Sequence, residues 1–456
     1  MKEVASSAFI SVHRGVLAGW LKISRGGGEI SLRTLCPASL AAFIKAYPPG
    51  GSVAIGAFMT RAVCRTLRDM NRPLTIVVGG YIVGYPLGGM TWHHLNYLLG
   101  LHDLGHEVYF LEDSGSFSIP YNPLTWTSEV DSLYGRRYLE RTFARYGLPP
   151  RYCYYSQFED THYGLTKGEL DDVLKRADLM ICVSGVTPLR SDRPKVKKTV
   201  VIDTDPVFTQ LRMRHDADFL SYYRQFDAAA TFGRLIGTDA CPLPTHGIPW
   251  IGTNQPVALR HWPVTPATSR AFTTIGKWEH SSDRNLEYDG RKYHSSKGVE
   301  WMKLKGLPAM VKWDMTLGMA GMPGKVAGDF AGSGWKIADP EKASMSCEAF
   351  QQFIADSAGE FTVAKEVYAG LPSGWFSDRS SVYLASGRPV VTQDSGFDKW
   401  LPTGEGLFSF RTPDEAAQAL NAIDRDYARH SAAARRIAET HLDSGKVLSE
   451  LIEKVL

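Results

Sequence analysis

Ser373, Gly374, Trp375, Ser377 and Arg379 fall within the run LPSGWFSDRSSVYLASGRPVVTQDSGF, residues 371–397. Ser377 reads as the N-cap of a helix carrying Val382, Tyr383, Leu384 and Ala385, with Gly387 as its stop. A helix start aims unsatisfied N–H groups and a positive dipole end at one point. Gly374 lets backbone come close, and Arg379 offers a planar fork of donors. Such a set receives phosphate well. Lys365, just past a predicted strand at 361–364, and Lys277, at the end of one beginning at Phe272, are further cations for the same pocket. Each residue alone also fits an ordinary capped helix or a solvated surface.

A second group could move protons. His93 and His94 follow a Gly-rich loop, residues 79–89, and open a helix whose N-terminus disfavours imidazolium. Asp203 and Asp205 lie just past a strand predicted at 199–202, and Asp113 past one at 107–111. A neutral imidazole or a carboxylate in such a place is a candidate general base. Asp203-Thr204-Asp205 has D-x-D spacing, which arises often by chance. No H-E-x-x-H or similar ligand spacing occurs, so no metal site is expected.

Positioning these groups requires two layers of α/β structure. The 456 residues suffice for two ordinary domains. The expected division is an N-terminal extension over 1–70, a Rossmann-like domain over 71–266, a second over 267–424, and terminal helices over 425–456 that cross back onto the first. Residues 1–70 hold nine of the 51 basic residues and three of the 48 acidic ones, leaving 42 against 45. The slight basicity therefore belongs to the tail, and a nucleic-acid partner loses its support. The tail reads as disordered or as preceding a true start at Met70. A leader-like apolar run around residues 9–20 is interrupted by His13 and Arg14. Six single cysteines without a C-x-x-C pair favour a reducing, cytoplasmic setting, and no apolar run reaches membrane-spanning length.

In the first domain, strands are expected at 74–78, 107–111, 179–183, 199–202 and 228–232. Helices are expected from Thr91 to about Leu104 and over 128–146, 167–177 and 217–226. A Pro-rich segment, 241–266, reads as a connector. The second domain starts at Phe272 and continues through 361–364, 389–392 and 407–410, then a capping box at Thr412–Glu415.

At the helix-and-strand run a resemblance appears. Gly374-Trp375, the exit Gly387-Arg388-Pro389-Val390-Val391 and the turn Thr403-Gly404-Glu405-Gly406-Leu407 resemble the nucleotide-sugar half of GT-B glycosyltransferases. The match is specific over about the last hundred residues. One departure stands out: Val382 occupies the place of a glutamate that many such enzymes use to hold the ribose. The resemblance implies two Rossmann-like domains facing across a cleft, a nucleotide-sugar donor in the second and an unknown acceptor in the first. It implies metal-independent transfer, with the nucleotide-sugar as co-substrate and no other cofactor. Gln393, Asp394 and Glu405 would then read sugar hydroxyls, since amide and carboxylate groups together offer fixed donors and acceptors. The base would come from His93, His94, Asp203 or Asp205. Two alternatives stay open: an epimerase using the same donor pocket, and a nicotinamide-dependent oxidoreductase suggested by loop 79–89 with Glu112 beyond it. No G-x-G-x-x-G supports the latter, and the loop is too long for a tight dinucleotide turn.

Overall fold

The computed structural model describes residues 72–113, 115, 119–279 and 286–456. It also gives the backbone of three antiparallel strands in the N-terminal segment, Ala8–His13, Val16–Arg25 and Gly28–Ser31. Beyond those strands, the expectation for residues 1–70 lies outside the described residues. Thr75–Leu451 form one compact unit.

Eight strands make the first sheet of that unit: β1 Thr75–Gly79, β2 Glu107–Asp113, β3 Tyr152–Ser156, β4 Thr161–Gly164, β5 Leu179–Val183, β6 Thr199–Asp203, β7 Ala228–Thr231 and β8 Ile251–Gly252. Their order is β8-β7-β6-β5-β1-β2-β3-β4, and only the β3/β4 pair is antiparallel. The chain runs outward from β1 to β2, then returns to β5 on β1's other side. That reversal opens a crevice beyond the carboxyl ends of β1 and β5. Every residue of β5 and β6 is buried, as a parallel sheet covered on both faces requires.

Six parallel strands form the second sheet: β9 Ala271–Lys277, β10 Asp314–Ala320, β11 Lys336–Ile337, β12 Gly359–Thr362, β13 Val390–Gln393 and β14 Leu407–Phe410. The order β11-β10-β9-β12-β13-β14 puts its reversal between β9 and β12. Aromatic mass fills its core: Trp301, Trp313, Trp335, Phe330 and Phe361 share one buried cluster. Trp313 and Trp335 still satisfy their indole N–H groups on the carbonyls of Leu420 and Lys305. Another apolar cluster joins Leu211, Leu235 and Leu243 to Tyr293, Val367 and Leu371, so side chains following both sheets share one core.

Helix α1, Gly88–Asp103, begins three residues before the expected cap at Thr91. Its N-cap, Leu87, makes no side-chain hydrogen bond. Packing sets the start instead: a Cβ on Gly88 would lie 2.2 Å from the Ser346 carbonyl oxygen and 2.8 Å from Phe350 Cβ. Trp92 then donates to the Cys347 carbonyl at 3.1 Å, fastening α1 to the helix Cys347–Asp356.

The helix expected over 128–146 is shorter, Leu133–Arg145. Thr127–Ser128 pair instead with Tyr121–Asn122 in a small hairpin, and Asp131 accepts from the Leu133 N–H. Part of the expected connector also joins a sheet, as β8. The helix Pro413–Arg425 carries the Thr412–Glu415 capping box. Helices Tyr427–His441 and Ser444–Val455 follow. The last lies against α1, where a Cβ on Gly100 would stand 2.6 Å from Ser444 Cβ. No described helix is long and apolar enough to cross a membrane.

Candidate active site

Beyond β1 the chain folds as a loop tied down by one carboxylate. Glu112, buried at the end of β2, accepts the N–H groups of Ile82 and Val83 at 2.7 Å each and of Gly84 at 2.6 Å. Burial pushes its pKa up to about 7, although all three N–H groups favour the anion. With both oxygens engaged by the loop, Glu112 acts as a structural clamp.

The loop also meets His94. A Cβ on Gly80 would fall 2.2 Å from His94 Cδ2, so only glycine fits there. His94 Nδ1 lies 2.9 Å from the Met90 carbonyl and must donate to it, while Nε2 faces the Tyr81 N–H at 3.4 Å. Fully buried, and next to His93, the ring is held neutral with its pKa lowered to about 3. Both nitrogens are thus occupied inside the fold.

His93, one residue earlier, turns to a different partner. Its Nδ1 stands 3.5 Å from Asp378 Oδ2, at the start of helix α2, Asp378–Ala385. The contact joins a helix following the first sheet to one embedded in the second. Burial raises the Asp378 pKa, but His93 and then Arg379 outweigh it and hold the carboxylate at about 2. Tyr97, one turn along α1, has a buried hydroxyl without a hydrogen-bond partner, and its ring centroid is 6.4 Å from that of His93.

Arg379 turns inward. Its Nε lies 2.5 Å from Glu360 Oε1, and its other nitrogens donate to the Ile275 carbonyl at 2.6 Å and Thr362 Oγ1 at 2.9 Å. Glu360 is fully buried, and its Oε2 has no hydrogen-bond partner. The guanidinium therefore fastens α2 to β9 and β12. Lys297, at the N-cap of the helix Gly298–Lys303, senses this group. Burial, then Arg379 and Lys365, lower its pKa to about 7, against the opposing pull of Glu360 and Asp378. Lys365 lies over the Phe208 ring at 4.4 Å and 3.9 Å from Asp205 Oδ1. Asp205, exposed beyond β6, also accepts from the Tyr368 hydroxyl at 2.7 Å. Asp378, Arg379, Lys297, Lys365 and Asp205 thus form a cluster of charges at the strand ends, with the His93 ring beside Asp378.

The remaining expected residues have other engagements. Asp203 is buried and accepts from Thr209, Gln210 and Thr231 at 2.7–3.0 Å; burial raises its pKa to about 6. The Ser373 carbonyl accepts from the Leu235 N–H at 2.9 Å, while its buried hydroxyl has no partner. Gly374 has φ +78°, and a Cβ there would meet Leu235 Cγ at 2.8 Å. The close approach at Gly374 is thus to a loop beyond β7. Trp375 stacks on Tyr368 with centroids 4.4 Å apart. Ser377 caps α2 without a side-chain cap bond, its hydroxyl 3.4 Å from Asp378 Oδ1. Lys277 is exposed at the end of β9. Gln393 donates to buried Glu300 at 2.7 Å, Asp394 pairs with Arg411 at 2.6 Å, and Glu405 pairs with Arg429. The first group converges on α2; Gln393, Asp394 and Glu405 each satisfy a separate neighbour.

Lys297, Asp378 and Glu360 were missed in the sequence. A lysine followed by glycine at a helix start after the domain's first strand was the available signal for Lys297. A charged residue inside an otherwise apolar strand was the signal for Glu360.

No known protein family and no curated protein matches the chain. Solved structures do. AviGT4, a glycosyltransferase involved in avilamycin A biosynthesis, superposes with a TM-score of 0.50 at 14% identity, over 84% of this chain and 97% of that one. Sucrose-phosphate synthase from Thermosynechococcus elongatus gives 0.49 at 12% identity, over 84% and 99%. Anabaena HepE in complex with UDP-glucose gives 0.49 at 12%, over 83% and 98%. With its two mainly parallel sheets and their reversals, the chain has the GT-B glycosyltransferase fold.

Proposed function

We propose that the chain moves a sugar from a nucleoside-diphosphate sugar to an acceptor hydroxyl, within a cleft between the two sheets' carboxyl ends. The observation that carries this reading is the meeting of a histidine and a set of cations at one place. His93 approaches from the first sheet, and Lys297 and Lys365 stand beside the start of α2 from the second. Displacement at a sugar carbon asks for a base on the attacking hydroxyl and positive charge on the leaving diphosphate. His93 is assigned the first task, since His94 and Asp203 are spent inside the fold. Lys297, Lys365 and the α2 N-terminus are assigned the second, which supplies the required charge without an added metal. Arg379 keeps the helix start in place, and Asp205 orients Lys365. The engagement of Glu112 with loop 82–84 disfavours the nicotinamide reading.

The experiment supplies a panel of nucleoside-diphosphate sugars, follows both halves of the donor by mass spectrometry, and reads the configuration of the sugar by proton NMR. Slow cleavage to nucleoside diphosphate and free sugar, with water as acceptor, is the expected result. Intact nucleotide carrying an epimerised sugar would select the epimerase instead. Turnover of no donor in the panel would count against both.

A further inference from the structure

We propose that Asp378 is the positioning residue for His93, so that the base is completed by a carboxylate from the opposite sheet's helix; the inference rests on the reading of His93 as base. Both oxygens of Asp378 are accounted for. Oδ1 accepts the Arg379 N–H at 2.9 Å and lies 3.4 Å from the Ser377 hydroxyl, which leaves Oδ2 facing His93 Nδ1 at 3.5 Å, an ion-pair distance, and that buried nitrogen has no hydrogen-bond partner among the described residues. The α2 start that holds this carboxylate is itself fastened to β9 and β12 through Arg379 and Glu360.

A carboxylate facing Nδ1 selects the tautomer that carries its proton there. The lone pair then sits on Nε2, free to accept a proton from an acceptor hydroxyl, and the imidazolium so formed is stabilised by the same carboxylate. The lowered pKa of Asp378 agrees with this, since the carboxylate stays charged throughout the neutral range. Other groups facing the pair are His94 and Tyr97 on α1, Phe232 beyond β7, and Arg379 and Lys297 from the second sheet's side. Asp378 brings a negative charge to the Nδ1 side of His93. The two residues sit on opposite sides of the junction, so a shift of one sheet against the other separates base from carboxylate. Donor-side geometry thereby controls acceptor-side chemistry.

The test compares wild type with Asp378→Asn, Asp378→Glu, His93→Ala and the His93→Ala/Asp378→Asn double variant in the donor-cleavage assay across pH. Asp378→Asn is expected to lower kcat by on the order of 100-fold, the scale of general-base catalysis, with donor KM changed much less. Its acidic limb should move to lower pH, because loss of a neighbouring negative charge disfavours imidazolium. Asp378→Glu should recover part of the rate, and the double variant should be no slower than His93→Ala alone. Wild-type kcat and an unmoved acidic limb in Asp378→Asn would overturn the proposal, as would a change confined to KM. Full activity of His93→Ala is a separate result, which would remove the base reading itself.

Discussion

Arg379→Met is expected to cost the fold about 3–5 kcal/mol, the range for removing one partner of a buried ion pair. The residue it abandons decides this. Glu360 has no exposure, and one of its oxygens already lacks a partner. Without the guanidinium that carboxylate loses its hydrogen-bonded cation, leaving Lys297 at longer range, and the Ile275 carbonyl and Thr362 hydroxyl lose a donor. Denaturant unfolding should show the loss, and the double variant Glu360→Leu/Arg379→Met should recover most of it. A direct phosphate ligand behaves differently. Its removal would leave the melt unchanged and weaken nucleotide binding by about 1.5–3 kcal/mol, as for hydrogen bonds to charged groups. An unchanged melt would therefore contradict the inward role.

His93→Ala is expected to lower turnover by about 100-fold or more while the protein, at some cost in stability for a buried ring, still folds and binds nucleotide as before. At 1.36 kcal/mol per factor of ten, this is at least about 2.7 kcal/mol of barrier. The contrast with its neighbours sharpens the test. His94→Ala removes a buried ring bonded to Met90 and facing the Tyr81 N–H, so it should lose stability before anything else. Asp203→Ala leaves Thr209, Gln210 and Thr231 without their shared acceptor and should do the same. If His93→Ala keeps full turnover while the variants at the other two positions fold and lose it, the assignment of the base is wrong.

Why His93 and not His94 could not be read from the chain is a question of facing. Adjacent residues on a helix point about 100° apart, so the two buried rings meet different neighbours. Gly80, whose missing Cβ admits the His94 ring, sets that ring against the loop and leaves His93 facing Asp378. The strands were legible because parallel, doubly covered strands are short apolar runs, as in LMICV and TVVID. The Thr412–Glu415 capping box was legible because both partners lie within four residues. The start of α1 was not, because Gly88 is held by Ser346 and Phe350, over 250 residues away. In the structure Arg379 meets Glu360, and a Cβ on Gly374 would meet Leu235. Spacing in the sequence shows that a helix start carries an arginine; it does not show a glutamate waiting beneath it. Gln393 and Asp394 likewise looked available only because Glu300 and Arg411 are distant in sequence.

The central claim is that a nucleoside diphosphate sits beside α2 on Lys297 and Lys365. Calorimetric titration of nucleoside diphosphates, the parent nucleosides and NAD into wild type and Lys297→Ala tests it most directly. One diphosphate should bind, its nucleoside far more weakly, and Lys297→Ala should cost about 1.5–3 kcal/mol of that affinity. The Lys297 pKa lies near 7, and only the charged form attracts phosphate. Affinity should therefore fall as pH rises above about 7, by at most about tenfold per unit. Lys297→Arg should flatten that dependence, because guanidinium stays charged. Absence of binding by every diphosphate, tightest binding by NAD, or equal affinity in Lys297→Ala would contradict the account.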